Sequence, residues 1–188
     1  ACPERAMGGW GRRLRIAING RDPSTGHRFI WHMFQARPGG GASAAGNGWS
    51  TIGEWHAVGG IKFGSIEVAE ARFPLFFETH EYRPGSGGAG RFRGGDGGDM
   101  RLRVETAEPA VANTAGEGVV HGARGILGGE DGLPHDYTLL VPGQRPRKLR
   151  SKEVGIAVPP GSVFHVLSGG GGGWGDPEAA AARSTPMR

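Results

Sequence analysis

Over residues 13–19 the apolar residues Leu14, Ile16 and Ile18 alternate with other types, the period-two pattern of a strand buried on one face. Residues 19–26, Asn-Gly-Arg-Asp-Pro-Ser-Thr-Gly, are dense in turn formers, and residues 27–36 resume extended character. Phe29, Trp31 and Met33 share one face of that second strand, while Ile30, His32 and Phe34 share the other. A strand apolar on both sides is expected in the middle of a sheet. Ile66, Ala69 and Phe73 then recur at helical spacing and Pro74 follows, which predicts a short helix ending there, with Glu67 and Glu70 on its exposed face.

Six further extended segments are expected at residues 75–82, 100–106, 110–114, 136–141, 153–158 and 163–168, each bounded by Gly or Pro. That rhythm predicts a mainly β fold, an antiparallel β-sandwich or barrel-like domain with long glycine-rich loops and few short helices. Residues 37–60 hold two glycine-rich patches together with Trp49 and Trp55, too long for a tight connection and too aromatic for a plain linker. An ordered, packed loop is expected there. The alanine-rich residues 177–188 either form a short helix or fray, and no period marks an internal repeat.

Composition changes this picture in two places. With 38 Gly and 13 Pro in 188 residues the chain would read as disordered if it lacked apolar segments, so the glycines are assigned to loops between short strands. The length suits one domain over residues 1–188. The opening Ala1-Cys2-Pro3-Glu4-Arg5, without Met, reads as the interior of a longer protein. A net charge of +4 favours acidic partners or anionic ligands, yet no basic stripe interleaved with aromatics and no helix-turn-helix, zinc-finger or RNP-like pattern is present. No nucleic-acid partner is expected. The basic run over residues 145–152 reads as a solvated face or a subunit contact.

The single cysteine, Cys2, excludes an internal disulfide and a cysteine-built zinc site. A reducing, cytoplasmic setting is the simple inference. No apolar run reaches bilayer length and no signal-peptide pattern is seen, so no membrane partner is expected. The seven histidines show neither HxxxH nor HxH spacing, and no metal is assigned to this chain. His32 and His165 fall in predicted strands as structural residues. Glu67, Glu70, Glu78 and Glu81 offer carboxylates for acid-base work or, more commonly, a solvated surface. Ser86 lacks a G-x-S-x-G context for a nucleophile.

Two glycine runs carry the candidate chemistry. In residues 82–98, YRPGSGGAGRFRGGDGG, the glycines either let successive backbone N–H groups converge on an anion beside Arg91 or Arg93, or permit positive φ in a compact turn whose arginines face solvent or a partner. No GK[ST] tail follows as a P-loop requires. In residues 168–177, SGGGGGWGDP, either another chain or a ligand approaches the backbone closely, or the run is a hinge before the tail. Trp174 is placed to dock that end onto a neighbour.

These runs and their order resemble a known family. Residues 36–43, ARPGGGAS, are similar to its G-A-R-P-G-x-D-G-x-S segment, with Gly40 in place of the Asp, and residues 67–75 resemble its E-x-x-E-x-x-[YF]-P-L segment. Residues 83–95 match R-P-[DG]-S-G-G-A-G-[RK]-[FY]-R-G-G almost throughout. Residues 125–132 resemble G-L-x-G-G-x-P-G, with Asp131 for Pro, and residues 169–177 resemble the terminal P-G-G-G-G-[YW]-G-D-P. The family is hydantoinase B, which includes N-methylhydantoinase, 5-oxoprolinase, caprolactamase and acetone and acetophenone carboxylase subunits.

The resemblance covers nearly the whole chain and implies the C-terminal part of a B-type subunit. The implied enzyme is ATP-dependent and multisubunit, hydrolysing cyclic amides of the hydantoin or oxoproline type or carboxylating ketones such as acetone and acetophenone. Implied partners are a hydantoinase A-type ATPase-fold subunit and the N-terminal part of a B-type subunit. ATP with Mg, and a divalent Zn or Mn ion held by His and Asp in that N-terminal part, belong to the complete enzyme. This chain is expected to bind neither and to be inactive alone. The alternatives are a noncatalytic assembly subunit and a standalone β-sandwich that binds a small ligand. Catalytic residues are not assigned. Arg37, Arg83, Ser86, Gly87, Gly88, Arg91, Arg93 and Trp174 are the candidates for anion binding or subunit contact, because long glycine loops cost entropy and are explained most simply if a partner orders them.

Overall fold

The structure is a computed structural model that describes residues 2–33, 35–52 and 64–178. Phe34, Trp55 and the alanine-rich residues 179–188 lie outside the described residues. A single 3-10 turn at Pro3–Arg5 precedes strand β1 (Leu14–Arg21) and strand β2 (Arg28–His32). Helix α1 (Ile66–Arg72) leads into β3 (Leu75–Arg83), β4 (Gly97–Val104), β5 (Ala110–Gly116) and β6 (Asp136–Leu140). The short β7 (Arg147–Lys148), then β8 (Lys152–Val158) and β9 (Val163–Leu167), complete the strands.

All pairings are antiparallel, in a four-stranded sheet of order β2-β1-β5-β8 and a five-stranded sheet of order β3-β4-β9-β6-β7. The mainly β expectation is met by the open sandwich rather than the barrel. Alternation drives this. Leu14, Ile16 and Ile18 of β1 point inward with Ala110 and Ala112 of β5, and meet Met100, Leu102, Phe164, Val166 and Tyr137 of the other sheet in one core cluster. Trp31 and Phe77 close the contact edge to face at 6.1 Å between ring centroids. At roughly 1.5–3 kcal/mol for each large side chain removed from water, this shared core is what joins the two layers.

Helix α1 starts where the Ser65 side chain accepts the Val68 N–H at 3.2 Å and stops before Pro74, as the spacing predicts. Glu67 is exposed, but Glu70 turns inward to accept the Phe77 N–H at 2.7 Å, fastening the helix to β3. One expectation fails outright. Strand β2 lies at an edge of its sheet, not in the middle, and its outer residue Ile30 is 69% exposed. Of its inward residues, Trp31 packs on Phe77 of the opposite sheet and Phe29 on Phe73 at the end of α1, whereas Ile30 on the other face stays open.

Where β9 leaves its sheet, the chain enters a second kind of order. The backbone N–H of Gly170 donates to Leu133 O and that of Gly173 to Glu130 O; Gly171 reaches Gly95 O and Trp174 reaches Phe92 O. Gly172 then reaches Gly9 O, and Gly175 reaches Ile126 O, all six bonds lying between 2.9 and 3.1 Å. Residues three apart therefore address the same neighbouring segment in two of the three directions. That period belongs to the polyproline II helix, which forms no internal hydrogen bonds and offers its backbone to chains around it. The carbonyls keep the same count, since Gly169 O and Gly172 O accept from the N–H groups of Gly39 and Ala42.

Such packing leaves no room for side chains. A Cβ on Gly39 would lie 1.8 Å from Gly95 O, and one on Gly171 would lie 1.9 Å from Gly40 O. The glycines at 169–173 are all buried. The close neighbour of this run is the chain's own backbone, and a hinge is not formed. Backbone atoms cannot yield as a side-chain tip can, so Gly171→Ala and Gly39→Ala are each expected to cost more than about 3 kcal/mol. Gly64→Ala, with nothing within 4 Å, should change stability by less than about 0.5 kcal/mol. Chemical denaturation of the three variants measures the difference, and an equal response would contradict the packing described.

Candidate functional site

The loop joining β3 to β4 holds most of the residues singled out from the sequence, and it folds around one carboxylate. Asp96, 8% exposed, accepts the Gly87 N–H at 3.0 Å through Oδ1. It also takes both ends of the Arg93 guanidinium, at 3.1 Å on Oδ1 and 2.7 Å on Oδ2. Such a bidentate charged pair is among the stronger hydrogen-bonded arrangements. Burial pushes the Asp96 carboxyl up, but the Arg93 pair and the backbone N–H groups outweigh it and hold the group below the usual carboxylate range. Ser86, fully buried, donates to Arg83 O at 2.7 Å and accepts the Gly97 N–H at 2.8 Å. It ties the two ends of the loop together as a structural hydroxyl.

The glycines here do not form an open nest. The Gly87 N–H is taken by the chain's own carboxylate, and the Gly88 N–H donates to Gly171 O at 2.9 Å. Of the described residues in this loop only Gly85, with φ 76°, stands in the left-handed region. The others serve close backbone contact. Arg83 is half-buried and donates to Pro134 O at 2.8 Å and to Ser168 O at 3.2 Å, tying the loop to the start of the glycine run. Burial lowers its pKa, opposed by Asp136 and Asp99.

Three candidates stand apart from this clamp. Trp174 packs against Phe92 at 6.0 Å between ring centroids, with Nε1 donating to Ala6 O at 3.1 Å. Arg91 lies 5.4 Å from the Phe92 ring centroid, and its N–H donates to Gly175 O. Together they form a partly exposed aromatic and cationic cap over the end of the glycine run. Arg37 lies elsewhere, in a cleft of about 410 Å³ with Gln35, Thr51, His80 and Tyr82. Burial lowers the pKa of its guanidinium.

Sequence reasoning missed two residues that organise the site. Asp96 stands in an R-G-G-D run three residues after Arg93, a spacing that signals the pair only in hindsight. His135, 2% exposed, accepts the Gly169 N–H on Nδ1 at 2.6 Å and reaches Arg12 O at 3.2 Å from Nε2. This geometry requires the neutral ring with its proton on Nε2, since a second proton on Nδ1 would face the Gly169 N–H. Burial, aided by the nearby Arg83 charge and opposed by the Arg12 and Gly11 carbonyls, lowers its pKa to about 4.

Two further histidines and Glu78 have structural partners. His165 Nε2 lies 2.9 Å from Asp99 Oδ1, and His80 Nε2 lies 3.0 Å from Gln35 O. Glu78 pairs with Arg101 and Arg103, which engages it in an ion ladder. Among the described residues no group of three or more His, Cys, Asp or Glu side chains is placed to share a metal ion. No described helix is long and apolar enough to cross a membrane.

Comparison with known proteins fits this geometry to a family. The model of hydantoinase B/oxoprolinase matches residues 1–177. Caprolactamase subunit beta of Pseudomonas jessenii is 32% identical over 185 residues, 94% of this chain and 31% of that protein. The 5-oxoprolinase 1 of Arabidopsis thaliana is 32% identical over 137 residues, 72% of this chain and 11% of its own length. The crystal structure of the ATP-dependent caprolactamase from Pseudomonas jessenii superposes with a TM-score of 0.76 at 28% identity, covering 95% of this chain and 32% of its own. A nucleotide-free acetone carboxylase structure has the same TM-score at 18% identity, over 89% of this chain and 26% of its own, which shows a shared fold. The chain thus spans about a third or less of the length of these relatives.

Two outcomes follow from the clamp and its neighbour. Asp96→Ala strands the Gly87 N–H and the Arg93 charge, and should cost about 2–4 kcal/mol in denaturant unfolding, while the exposed Glu105→Ala should cost less than about 1. For His135 the folded pKa lies below its ordinary value of 6.5, so the unfolded chain binds more protons between about pH 4 and 6.5. Its contribution is fully present above that window and lost as pH falls through it, about 2–3 kcal/mol by pH 4.5. His135→Gln should flatten that part of the stability profile; an unchanged slope would assign it to other groups.

Proposed function

The chain belongs to the hydantoinase B/oxoprolinase family, and from that membership we propose that it is the C-terminal part of a B-type subunit in an ATP-dependent, multisubunit enzyme that opens cyclic amides. The observation that carries this reading is the 32% identity to caprolactamase subunit beta over 94% of the chain. The oxoprolinase relative has a cyclic amide substrate by name and the same identity. Acetone carboxylase, at 18% identity, supports the fold alone, so ketone carboxylation is the second substrate class.

In this proposal the chain works as a rigid part that other parts build on. Its glycine loops spend their amides on one another, and the motif most like an anion cradle is filled by Asp96. The Gly87 amide is taken by the chain's own Asp96, which supports assigning ATP with Mg and the divalent Zn or Mn ion to the A-type subunit and to the N-terminal part of the B-type subunit. The contact residues proposed for these partners are the outward ones, Arg91 and Trp174 at the capped end of the glycine run and Arg37 in its cleft. Arg83, Ser86, Gly87, Gly88 and Arg93 support them from within. The same internal commitment favours a second reading, a noncatalytic part that serves assembly alone.

Reconstitution separates these readings. ATP-dependent lactam or oxoproline ring opening is expected only when the chain is combined with an A-type subunit and the N-terminal part of a B-type subunit, and not with any of the three alone. Turnover by the two partners without this chain would leave it the assembly role. Arg91→Ala with Trp174→Ala should weaken assembly at least ten-fold by analytical ultracentrifugation. Intact assembly with a large fall in turnover would instead place these residues beside the reacting anion.

A further inference from the structure

Each sheet of the sandwich turns one face away from the shared core, and the two outer faces differ. On the five-stranded sheet the outer residues are matched to one another. Arg101 and Arg103 flank Glu78 at 3.2 and 3.0 Å, Arg103 also holds Glu105 at 3.0 Å, and His165 meets Asp99 at 2.9 Å. Lys148 pairs with Asp136, and the exposed Phe76 is covered by the Arg103 guanidinium at 4.7 Å from its centroid. This face satisfies its own charges and shields its apolar ring, as a surface meant for water does.

The four-stranded sheet is different. Its registers place Ile30, Asn19, Val111 and Ala157 in one row across β2, β1, β5 and β8, and His32, Ala17 and Asn113 in the next. Ile30 is 69%, Val111 41% and Val154 83% exposed. Beside them Arg21, Arg28 and Glu108 rim a groove of about 380 Å³ floored by Ile30 and Val111. Exposed aliphatic side chains such as Ile30 and Val111 cost free energy in water at about 25 cal/mol per Å², and their meeting in one groove marks a surface that something covers. Along β2 the outward positions are Arg28, Ile30 and His32, so Ile30 is the large aliphatic side chain that this edge strand turns to the open face.

We propose that the outer face of the four-stranded sheet, centred on Ile30, Val111 and Val154, is the surface on which the remainder of the B-type subunit packs. This rests on the subunit reading above. The aligned part makes up 31% of the caprolactamase subunit and 32% of the chain in the caprolactamase structure, so roughly two thirds of each lies outside it and has to be accommodated against it. The two arginines against one glutamate at the rim give the groove a net positive edge. It suits a segment that inserts apolar side chains with a carboxylate beside them.

Cysteine accessibility tests the face directly. In a Cys2→Ser background, Ile30→Cys, Val111→Cys and Val154→Cys are placed singly in the isolated chain and in caprolactamase subunit beta whose matching third is replaced by this chain. Reaction with a maleimide should slow at least ten-fold in the chimera at all three positions. Glu105→Cys and Lys148→Cys, at the five-stranded sheet, should stay within two-fold. Unchanged rates at 30, 111 and 154 overturn the proposal, as does slowing already present in an isolated chain that sediments as a dimer, which would give the face to a second copy. If the chimera does not fold, the remaining two thirds of caprolactamase subunit beta is titrated onto the labelled chain, and absence of protection counts equally against the face. Protected cysteines in an assembly without turnover would sink the catalytic reading and leave this surface standing; free cysteines in an active assembly would do the reverse.

Discussion

The contact on which the structure depends is backbone against backbone along residues 169–175. A buried peptide group left unpaired costs as much as a lost hydrogen bond, and a strand normally avoids this by lying between two neighbours in a sheet. This segment has no sheet. It distributes its N–H groups to Leu133, Gly95, Gly9, Glu130, Phe92 and Ile126, so six hydrogen bonds gather four remote parts of the chain around one extended run. The arrangement holds only while the surrounding positions lack a Cβ, since even one methyl group at Gly39 or Gly171 would overlap a carbonyl oxygen. Glycine serves here for its size.

That constraint explains why the loop between β3 and β4 resembles an anion cradle and acts as a clamp. Its amides must reach the central run and its own closing carboxylate, and a side chain with charge of the right sign lies three residues from the arginine that neutralises it. His135 and Arg83 extend the same tie by fixing the first residues of the run, Ser168 and Gly169. The neutral imidazole is required by the geometry. A single ring nitrogen must accept from a buried amide while the other donates to a carbonyl, and only one tautomer can do both.

Function is then a matter of what such a rigid part presents. The sandwich buries one face of each sheet in a common core, and its glycine layer consumes the backbone groups that loops usually offer to ligands. Outward lie, among others, a cap of Arg91, Phe92 and Trp174, a cleft beside Arg37, one charge-matched sheet face and one sheet face that exposes Ile30 and Val111. The chain belongs to the hydantoinase B/oxoprolinase family, and the caprolactamase relatives compared with it are about three times its length.

The sequence by itself determined every strand but the short β7, the helix that Pro74 terminates, the antiparallel sandwich and the family. Strand alternation is written in adjacent side chains, so Leu14, Ile16 and Ile18 announce their buried face locally. It also flagged Arg83, Ser86 and Arg93 as residues that matter together, through their spacing among glycines. Only the tertiary structure decided what the glycines touch. Gly39 and Gly169 are joined by a hydrogen bond across 130 positions, and such a contact leaves no mark in either neighbourhood beyond a missing side chain. The edge position of β2 was hidden for a related reason, because Ile30 beside Phe29, Trp31 and Met33 suggests apolar residues on both faces without recording how many strands lie alongside. Asp96 and His135 escaped notice because a carboxylate among glycines and a lone histidine acquire a partner only when Gly87, Arg93, Gly169 and Arg12 are brought to them by the fold.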